Sequence, residues 1–307
     1  MGEQRDLFSQ YVFMGEDVRK IVIGILGAIV LFAGVSLVCY PFISNYLMSQ
    51  NQNSEIEAQQ SFIEEVDNSR IDEAFAAAEA YNKRLLGNVV LTDPFDPGTQ
   101  TEKDVTYENL LNINQDSLMA SIEIPRIRVK LPVYHGTDQD TLLNGVGHLQ
   151  KTSLPVGGRG THAVLTGHTG LSTAKLFTDL NQLEQGDVFY IHVLDKTLAY
   201  KVDQIKVVEP ADTSDLRINN EEDYVTLVTC TPYGVNSHRL LVRGTRIPYE
   251  EAEKIVENTK PTESTWMLEY KRALLAGAGV LLMIILTFII IRISVIRHRK
   301  RKAGKNR

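Results

Sequence analysis

Apolar and polar positions fall into sharply different regimes along the chain. Two runs carry no charge: Ile21 to Tyr40 (IVIGILGAIVLFAGVSLVCY) and Ala273 to Ile291 (ALLAGAGVLLMIILTFIII). A bilayer core about 30 Å thick needs roughly 20 apolar residues at about 1.5 Å each, so either run is long enough to span it. A buried helix of a globular domain rarely stays apolar on every face for this length. The apolar part of a cleaved signal peptide is usually about 7–15 residues, so the first run reads as a retained anchor.

Between the two runs the pattern changes twice. From Glu55 to Leu86, Ile56, Phe62, Ile63, Val66, Ile71, Phe75, Ala78 and Leu85 recur at mostly helical spacings among acids and amides, which predicts one or two amphipathic helices. LTDPFDPGTQTEKD then packs prolines and glycine into a short polar stretch, an exposed loop. Beyond Leu118 the spacing predicts short strands at Ala120–Ile124, Val129–Tyr134, His162–Thr166, Asp187–Val193, Leu198–Val208, Tyr224–Thr229 and Arg239–Arg243, with a short helix over Ser172–Leu183. No long helix separates successive strands, so a β-barrel or sandwich fits better than βαβ units. The polar, acidic stretch Pro248–Glu269 reads as a tether without strand pattern.

Charge sets the orientation. The tail RISVIRHRKRKAGKNR carries Arg292, Arg297, Arg299, Lys300, Arg301, Lys302, Lys305 and Arg307 and no acid, which places it in the cytoplasm. Arg19 and Lys20 put the N-terminus on the same side, leaving the residues between the spans outside the cell. A net charge of −6 and a basic tail that directly follows a span argue against a nucleic-acid partner and for the lipid bilayer. Only two cysteines occur, Cys39 inside the first apolar run and Cys230 in the extracytoplasmic part; the membrane separates them, so they do not pair.

The sharpest local feature is YVTLVTCTPYGVNSHRLLVRGTR, where a β-branched strand runs into Cys230 and a Thr231-Pro232-Tyr233-Gly234 turn follows. Free thiols ionise near pH 8.5, so a reactive cysteine needs a cation or imidazolium close by. THAVLTGHTGL places His168 just past a strand and a glycine, and Arg239 opens a strand that pairs antiparallel with Tyr224–Thr229 across the turn. Spacing alone leaves two readings open: a Cys-His-Arg site, or a buried cysteine, a structural histidine and a solvated arginine. A zinc site lacks further thiols and paired ligands. His135, His148, His162, His192 and His238 lack the Thr-Gly-His context, although His162 near His168 and His238 beside Arg239 are candidates for supporting roles.

TLVTC followed nine residues later by Arg239, with Thr166-Gly167-His168 upstream, resembles the signature of sortases over about Ser117 to Ile247. The resemblance implies an eight-stranded β-barrel with short helices. It also implies that Cys230 attacks a threonyl carbonyl in an LPXTG-like sorting signal, that His168 transfers protons and that Arg239 stabilises the oxyanion, with no cofactor and no metal. The second apolar run and Asp93-Pro94-Phe95 are similar to the pilus-assembling class C sortases, whose lid carries a DP-aromatic motif; an aspartate there can pair with Arg239 while the ring covers the thiol, and the competing reading of the same three residues is an ordinary Pro-rich turn. Asp96-Pro97-Gly98 is a neighbouring stretch of like composition.

The expected organisation is a cytoplasmic N-terminus at 1–20, a span at 21–42, an extracytoplasmic helical segment at 43–90, a lid loop at 91–104, the mainly β catalytic barrel at 105–248, a tether at 249–272, a second span at 273–291 and a basic cytoplasmic tail at 292–307. The expected function is that of a Gram-positive cell-surface cysteine transpeptidase, of the thiol-hydrolase and acyltransferase type. It would join pilin subunits, one carrying the sorting signal and one an acceptor lysine. Competing expectations are a sortase that anchors proteins to a peptidoglycan peptide amine, and a catalytically silent surface-binding barrel.

Overall fold

The computed structural model describes residues 3–85, 91–96, 104–171 and 173–305. The expected helical residues 86–90 and the loop residues 97–103, including Pro97 and Gly98, lie outside them, as do 1–2, 172 and 306–307.

Eight strands close into a barrel: β1 (Leu118–Ile124), β2 (Val129–His135), β3 (Val146–His148), β4 (Thr161–Thr166), β5 (Val188–Val193), β6 (Lys196–Val208), β7 (Asp223–Thr231) and β8 (His238–Ile247). Around the barrel they run β1-β2-β3-β4-β7-β8-β6-β5, and β5 pairs back onto β1. Two neighbouring pairs are parallel, β2 with β3 and β4 with β7; the remaining pairs are antiparallel. The parallel β4–β7 pair sets the ends of two strands distant in sequence side by side. Strand β3 escaped the hydrophobic pattern because it is three residues long and its centre is Gly147. A Cβ at Gly147 would stand 2.3 Å from the carbonyl oxygen of Gly136, so the close approach of the two backbones excludes any other residue.

Inward-facing positions alternate along each strand, as half-buried sheet requires. Val225 and Leu227 on β7, Leu240 and Val242 on β8, and Ala163 and Leu165 on β4 join Ile122, Val133, Phe189 and Ile191 in the main core. Each such side chain, fully buried, contributes roughly 1.5–3 kcal/mol of hydrophobic stabilisation.

The helices cover the barrel. Helix α1 runs unbroken from Glu3 to Glu65, through the apolar run and the first amphipathic stretch, with Pro41 inside it. Continuity across the expected boundary at residue 42 follows from the sequence: between Tyr40 and Glu65 no glycine interrupts the helix, and a single proline removes only one backbone donor. The lower half of α1 buries Ile56 and Ile63, while Gln52 donates to Asn144 O and Gln59 to Leu118 O, both at 2.7 Å. Helix α2 (Asn68–Arg84) is capped by Asp67 and pinned by Asn82, whose amide donates to Leu154 O at 3.1 Å and accepts from Leu154 N at 2.7 Å. Short helices α3 (Val105–Glu108) and α4 (Gln139–Asn144) precede β1 and β3.

Two expectations change. The stretch read as a tether contains helix α5 (Tyr249–Asn258), which buries Ala252 against Val188, Tyr190, Ala199 and Ile247 on the outside of β5, β6 and β8. Its single apolar stripe is too narrow to stand out among four acids between residues 249 and 258. The helix expected over Ser172–Leu183 is reduced to one 3-10 turn, Leu180–Gln182, within a series of tight turns. After α5 the chain enters helix α6 (Thr265–Lys305). Among the described residues, helices α1 and α6 contain the two segments long and apolar enough to cross a membrane.

Candidate active site

Strands β7 and β8 form an antiparallel hairpin in which Cys230 stands directly opposite Arg239. Side chains so paired share one face of the sheet, with Cβ atoms about 4.5–5.5 Å apart. Counting back by twos, Val228 and Leu241 lie on that same face, and they belong to a small cluster with Leu149, Val164 and Leu216 that is separate from the main core. The thiol and the guanidinium therefore sit on the outer wall of the barrel. The connecting turn closes with Val235 N and Asn236 N both donating to Pro232 O, at 3.0 and 2.9 Å. It also orients the arginine, whose Nη1 donates to Asn236 O and His238 O, each at 3.1 Å.

His168 reaches the same region because β4 runs parallel to β7. Thr166 pairs with Val228, Gly167 N donates to Val228 O at 3.0 Å, and Thr229 Oγ1 donates to Gly167 O at 2.7 Å. The histidine follows immediately and is half-buried. A Cβ at Gly167 would lie 2.8 Å from the Phe177 ring, so glycine lets the loop after β4 fold back tightly over that ring.

The segment 91–96 lies across this site. Leu91 and Phe95 pack on the outer-wall cluster, Pro94 is buried, and Thr213 Oγ1 donates to Leu91 O at 3.3 Å. Asp93 forms a bidentate ion pair with Arg239: Nε donates to Oδ1 at 2.8 Å and Nη2 to Oδ2 at 2.6 Å, with both side chains 11 % exposed. The Phe95 ring lies 5.5 Å from the His168 ring and 5.1 Å from Arg239 Cζ, between imidazole and guanidinium. Phe95 N donates back to Asp93 Oδ1 at 3.3 Å, so the local turn presents carboxylate and ring together.

Residues 122–247 match the family described as Sortase domain. Sortase D of Bacillus subtilis (strain 168) is 30 % identical over 155 residues, covering 49 % of this chain and 75 % of that protein. The chain belongs to the sortase family. Among solved structures, sortase C-1 from Actinomyces oris is 53 % identical with a TM-score of 0.56, covering 59 % of this chain and 99 % of that one. A Streptococcus pneumoniae sortase C is 45 % identical with a TM-score of 0.59, covering 64 % of this chain and 97 % of that one. This sortase is thus a family transpeptidase with class C structural neighbours.

The electrostatics around Cys230 in this sortase favour neutral groups. Burial pushes the Cys230 thiol up from its ordinary value; Arg239 opposes that and the charge of Asp93 reinforces it. Burial lowers His168. Neutral thiol and neutral imidazole are therefore favoured over thiolate and imidazolium while Asp93 occupies the arginine. The guanidinium loses from burial, but its hydrogen bonds to Asp93 and the charges of Cys230 and Asp93 outweigh that loss and raise it further.

The remaining histidines have other neighbours. His148 and His162 are enclosed and pushed down to about 4 by burial, with Ser153 O at 2.8 Å from the first and Arg217 O at 2.9 Å from the second. His135 lies between Leu110 O and Ser117 O, and His192 beside Glu123. His238 sits 3.1 Å from Glu209, so its adjacency to Arg239 in sequence leads to a different partner. Among the described residues no group of three or more His, Cys, Asp or Glu is arranged to hold a metal ion.

Reasoning from sequence missed the platform under the loop. Leu149, Val164, Leu216, Val228 and Leu241 come from five separate segments, and nothing in their individual spacing marks them as one surface. A signal was present in β7: Val225, Val228 and Leu227 make the strand apolar on both faces, the mark of a strand covered on its outer side as well.

Proposed function

We propose that this sortase is a two-pass membrane enzyme of the pilus-polymerising kind. In this reading Cys230 is the nucleophile, His168 the proton-transfer group, Arg239 the oxyanion stabiliser, and Asp93-Pro94-Phe95 the lid. The observation that carries the reading is the register of the hairpin, which faces Cys230 with Arg239, combined with Asp93 held on that arginine by two hydrogen bonds. A likeness to a Streptococcus pneumoniae sortase C whose structure bears on pilin substrate specificity supports the choice of substrate.

The reaction proceeds in two halves. Withdrawal of the lid frees the guanidinium, lessens the burial that holds the thiol protonated and removes the charge of Asp93 that adds to it. The Cys230 proton passes to His168, the resulting thiolate attacks the threonyl carbonyl of an LPXTG-like signal, and the oxygen that takes up the electron pair is stabilised by Arg239. The C–N bond breaks as the leaving amine receives a proton from the His168 imidazolium, leaving a thioester. A pilin lysine, deprotonated by the now neutral His168, attacks that thioester, expels the Cys230 thiolate and forms an isopeptide bond. The chemistry calls on no cofactor.

Helices α1 and α6 supply the anchors, at 21–42 and 273–291, with both termini cytoplasmic. Protease added to intact cells should then spare the basic tail while cutting between the spans.

The deciding experiment incubates the enzyme with an LPXTG-containing peptide and with a pilin-derived lysine peptide or a peptidoglycan stem peptide, and follows intact mass. A thioester on Cys230 that resolves only onto lysine is expected. Resolution onto the stem peptide alone would move the enzyme to the wall-anchoring kind, and absence of any adduct would leave a binding barrel.

A further inference from the structure

The connection from β4 to β5 touches His168 at one end and the anchor helix α1 at the other. On the catalytic side, Phe177 N donates to His168 O at 3.0 Å and Gly170 N to Thr178 Oγ1 at 3.2 Å, so residues 168–170 are stapled to 177–178. On the other side, Lys175 N donates to Asn45 Oδ1 of α1 at 2.8 Å, and Ser44 Oγ donates to Thr173 O at 3.3 Å. Thr178 N donates to Lys175 O at 2.9 Å and closes the turn between the two sides. A short path of hydrogen bonds thus runs from Asn45 through Lys175 to His168.

The Lys175 side chain bolts this joint to the barrel. Its ammonium donates to Ile127 O, in the 3-10 turn Pro125–Ile127 between β1 and β2, and lies 2.9 Å from the carboxylate of Asp179, which is 1 % exposed. A carboxylate that deep needs a cation beside it, which explains why a lysine stands here. The same turn receives the second anchor, since Thr262 N donates to Arg126 O at 2.8 Å shortly before α6 begins. The two apolar helices also meet, with the Phe42 and Tyr270 rings edge to face at 4.4 Å. Cys230 and Arg239, by contrast, are held by the β7–β8 ladder within the barrel wall.

We propose that Asn45 and Lys175 are positioning residues that couple the membrane anchor to His168, so that the seating of α1 sets the imidazole relative to a nucleophile fixed independently in the barrel. This rests on His168 acting in proton transfer, as argued above. Displacement of a reacting group by even an ångström is costly in rate, so loss of the joint acts on turnover rather than on peptide binding.

The test uses the full-length chain in detergent micelles or nanodiscs with an LPXTG-containing peptide and a lysine acceptor. Asn45→Ala and Lys175→Met should each lower kcat by about 3- to 10-fold, the scale of one hydrogen bond, with KM unchanged and the pH profile of Cys230 alkylation by iodoacetamide unchanged. Asn45→Asp keeps the acceptor oxygen and Lys175→Arg keeps the cation, so both should restore kcat. Should Lys175→Met fail to fold because Asp179 is left uncompensated, Lys175→Met with Asp179→Asn removes that charge and takes its place. Unchanged kcat in folded Asn45→Ala and Lys175→Met, or an alkylation rate that changes in parallel, would overturn the coupling. His168→Ala separates the two claims: full activity there rejects the histidine assignment itself, whereas an inactive His168→Ala beside an unaffected Asn45→Ala rejects only the coupling.

Discussion

The two faces of the β7–β8 hairpin meet different neighbours. Inward, Val225, Leu227, Leu240 and Val242 are sealed into the main core of the barrel. Outward, Val228 and Leu241 are covered by a thin cluster and the short segment 91–96, and the same face ends in Cys230 opposite Arg239. The inner face is held by strands on every side, the outer one by a short segment docked through the Asp93–Arg239 ion pair, the Thr213–Leu91 hydrogen bond and the apolar contacts of Leu91 and Phe95. One ladder of hydrogen bonds thus gives Cys230 and Arg239 a rigid base, while their covering rests on a few local contacts outside the main core.

That contrast can be broken in graded steps. Cys230→Ala has the largest expected effect: no thioester adduct by intact mass, with the urea midpoint close to that of the unaltered chain, since the half-buried thiol contributes little volume. Arg239→Lys comes next, with turnover reduced by about 10²–10³, because a single ammonium does not reproduce the planar fork; steady-state kinetics read it directly.

On the inner face, Leu227→Ala should cost about 2–5 kcal/mol in denaturant unfolding, while thioester yield per folded molecule is retained. Equal loss of yield and stability would mean that the two faces are not independent.

The smallest effect concerns the covering loop. Asp93→Ala combined with Phe95→Ala should raise the iodoacetamide rate at Cys230 by about 10-fold at pH 7, with little change in stability. The sign follows from the charges: burial and Asp93 hold the thiol above its ordinary pKa, so a thiol that loses Asp93 and gains a free Arg239 ionises at lower pH. The pH–rate curve for labelling should shift to lower pH in the double variant. A rate and midpoint identical to those of the unaltered chain would mean that the loop does not shield the thiol.

Much of the geometry of the candidate site was legible in the sequence because its signals are local. Proline and glycine after Cys230, glycine before His168 and an arginine opening the next strand mark strand ends, and a hairpin with its turn at 232–237 sets Arg239 opposite Cys230 with little freedom left. Asp93-Pro94-Phe95 was visible as a breaker-rich turn. Short β-branched strands without intervening long helices narrowed the fold to a barrel or sandwich, and the family resemblance selected the eight-stranded barrel that is found. Strand β3 and helix α5 were not, the first because three residues carry no period and the second because its apolar stripe is narrow.

What the sequence by itself determined is therefore what depends on neighbours along the chain: strand ends, turns, the antiparallel hairpin, and apolar runs too long and uniform for a barrel wall. Tertiary structure alone decided the parallel pairing of β4 with β7, the outer cluster gathered from five segments, the docking of Asp93 onto an arginine 146 residues away, and the contact of Asn45 with Lys175 across 130 residues. Such contacts depend on which surfaces remain to be covered once the barrel has closed, and that geometry exists only after every strand has found its partner.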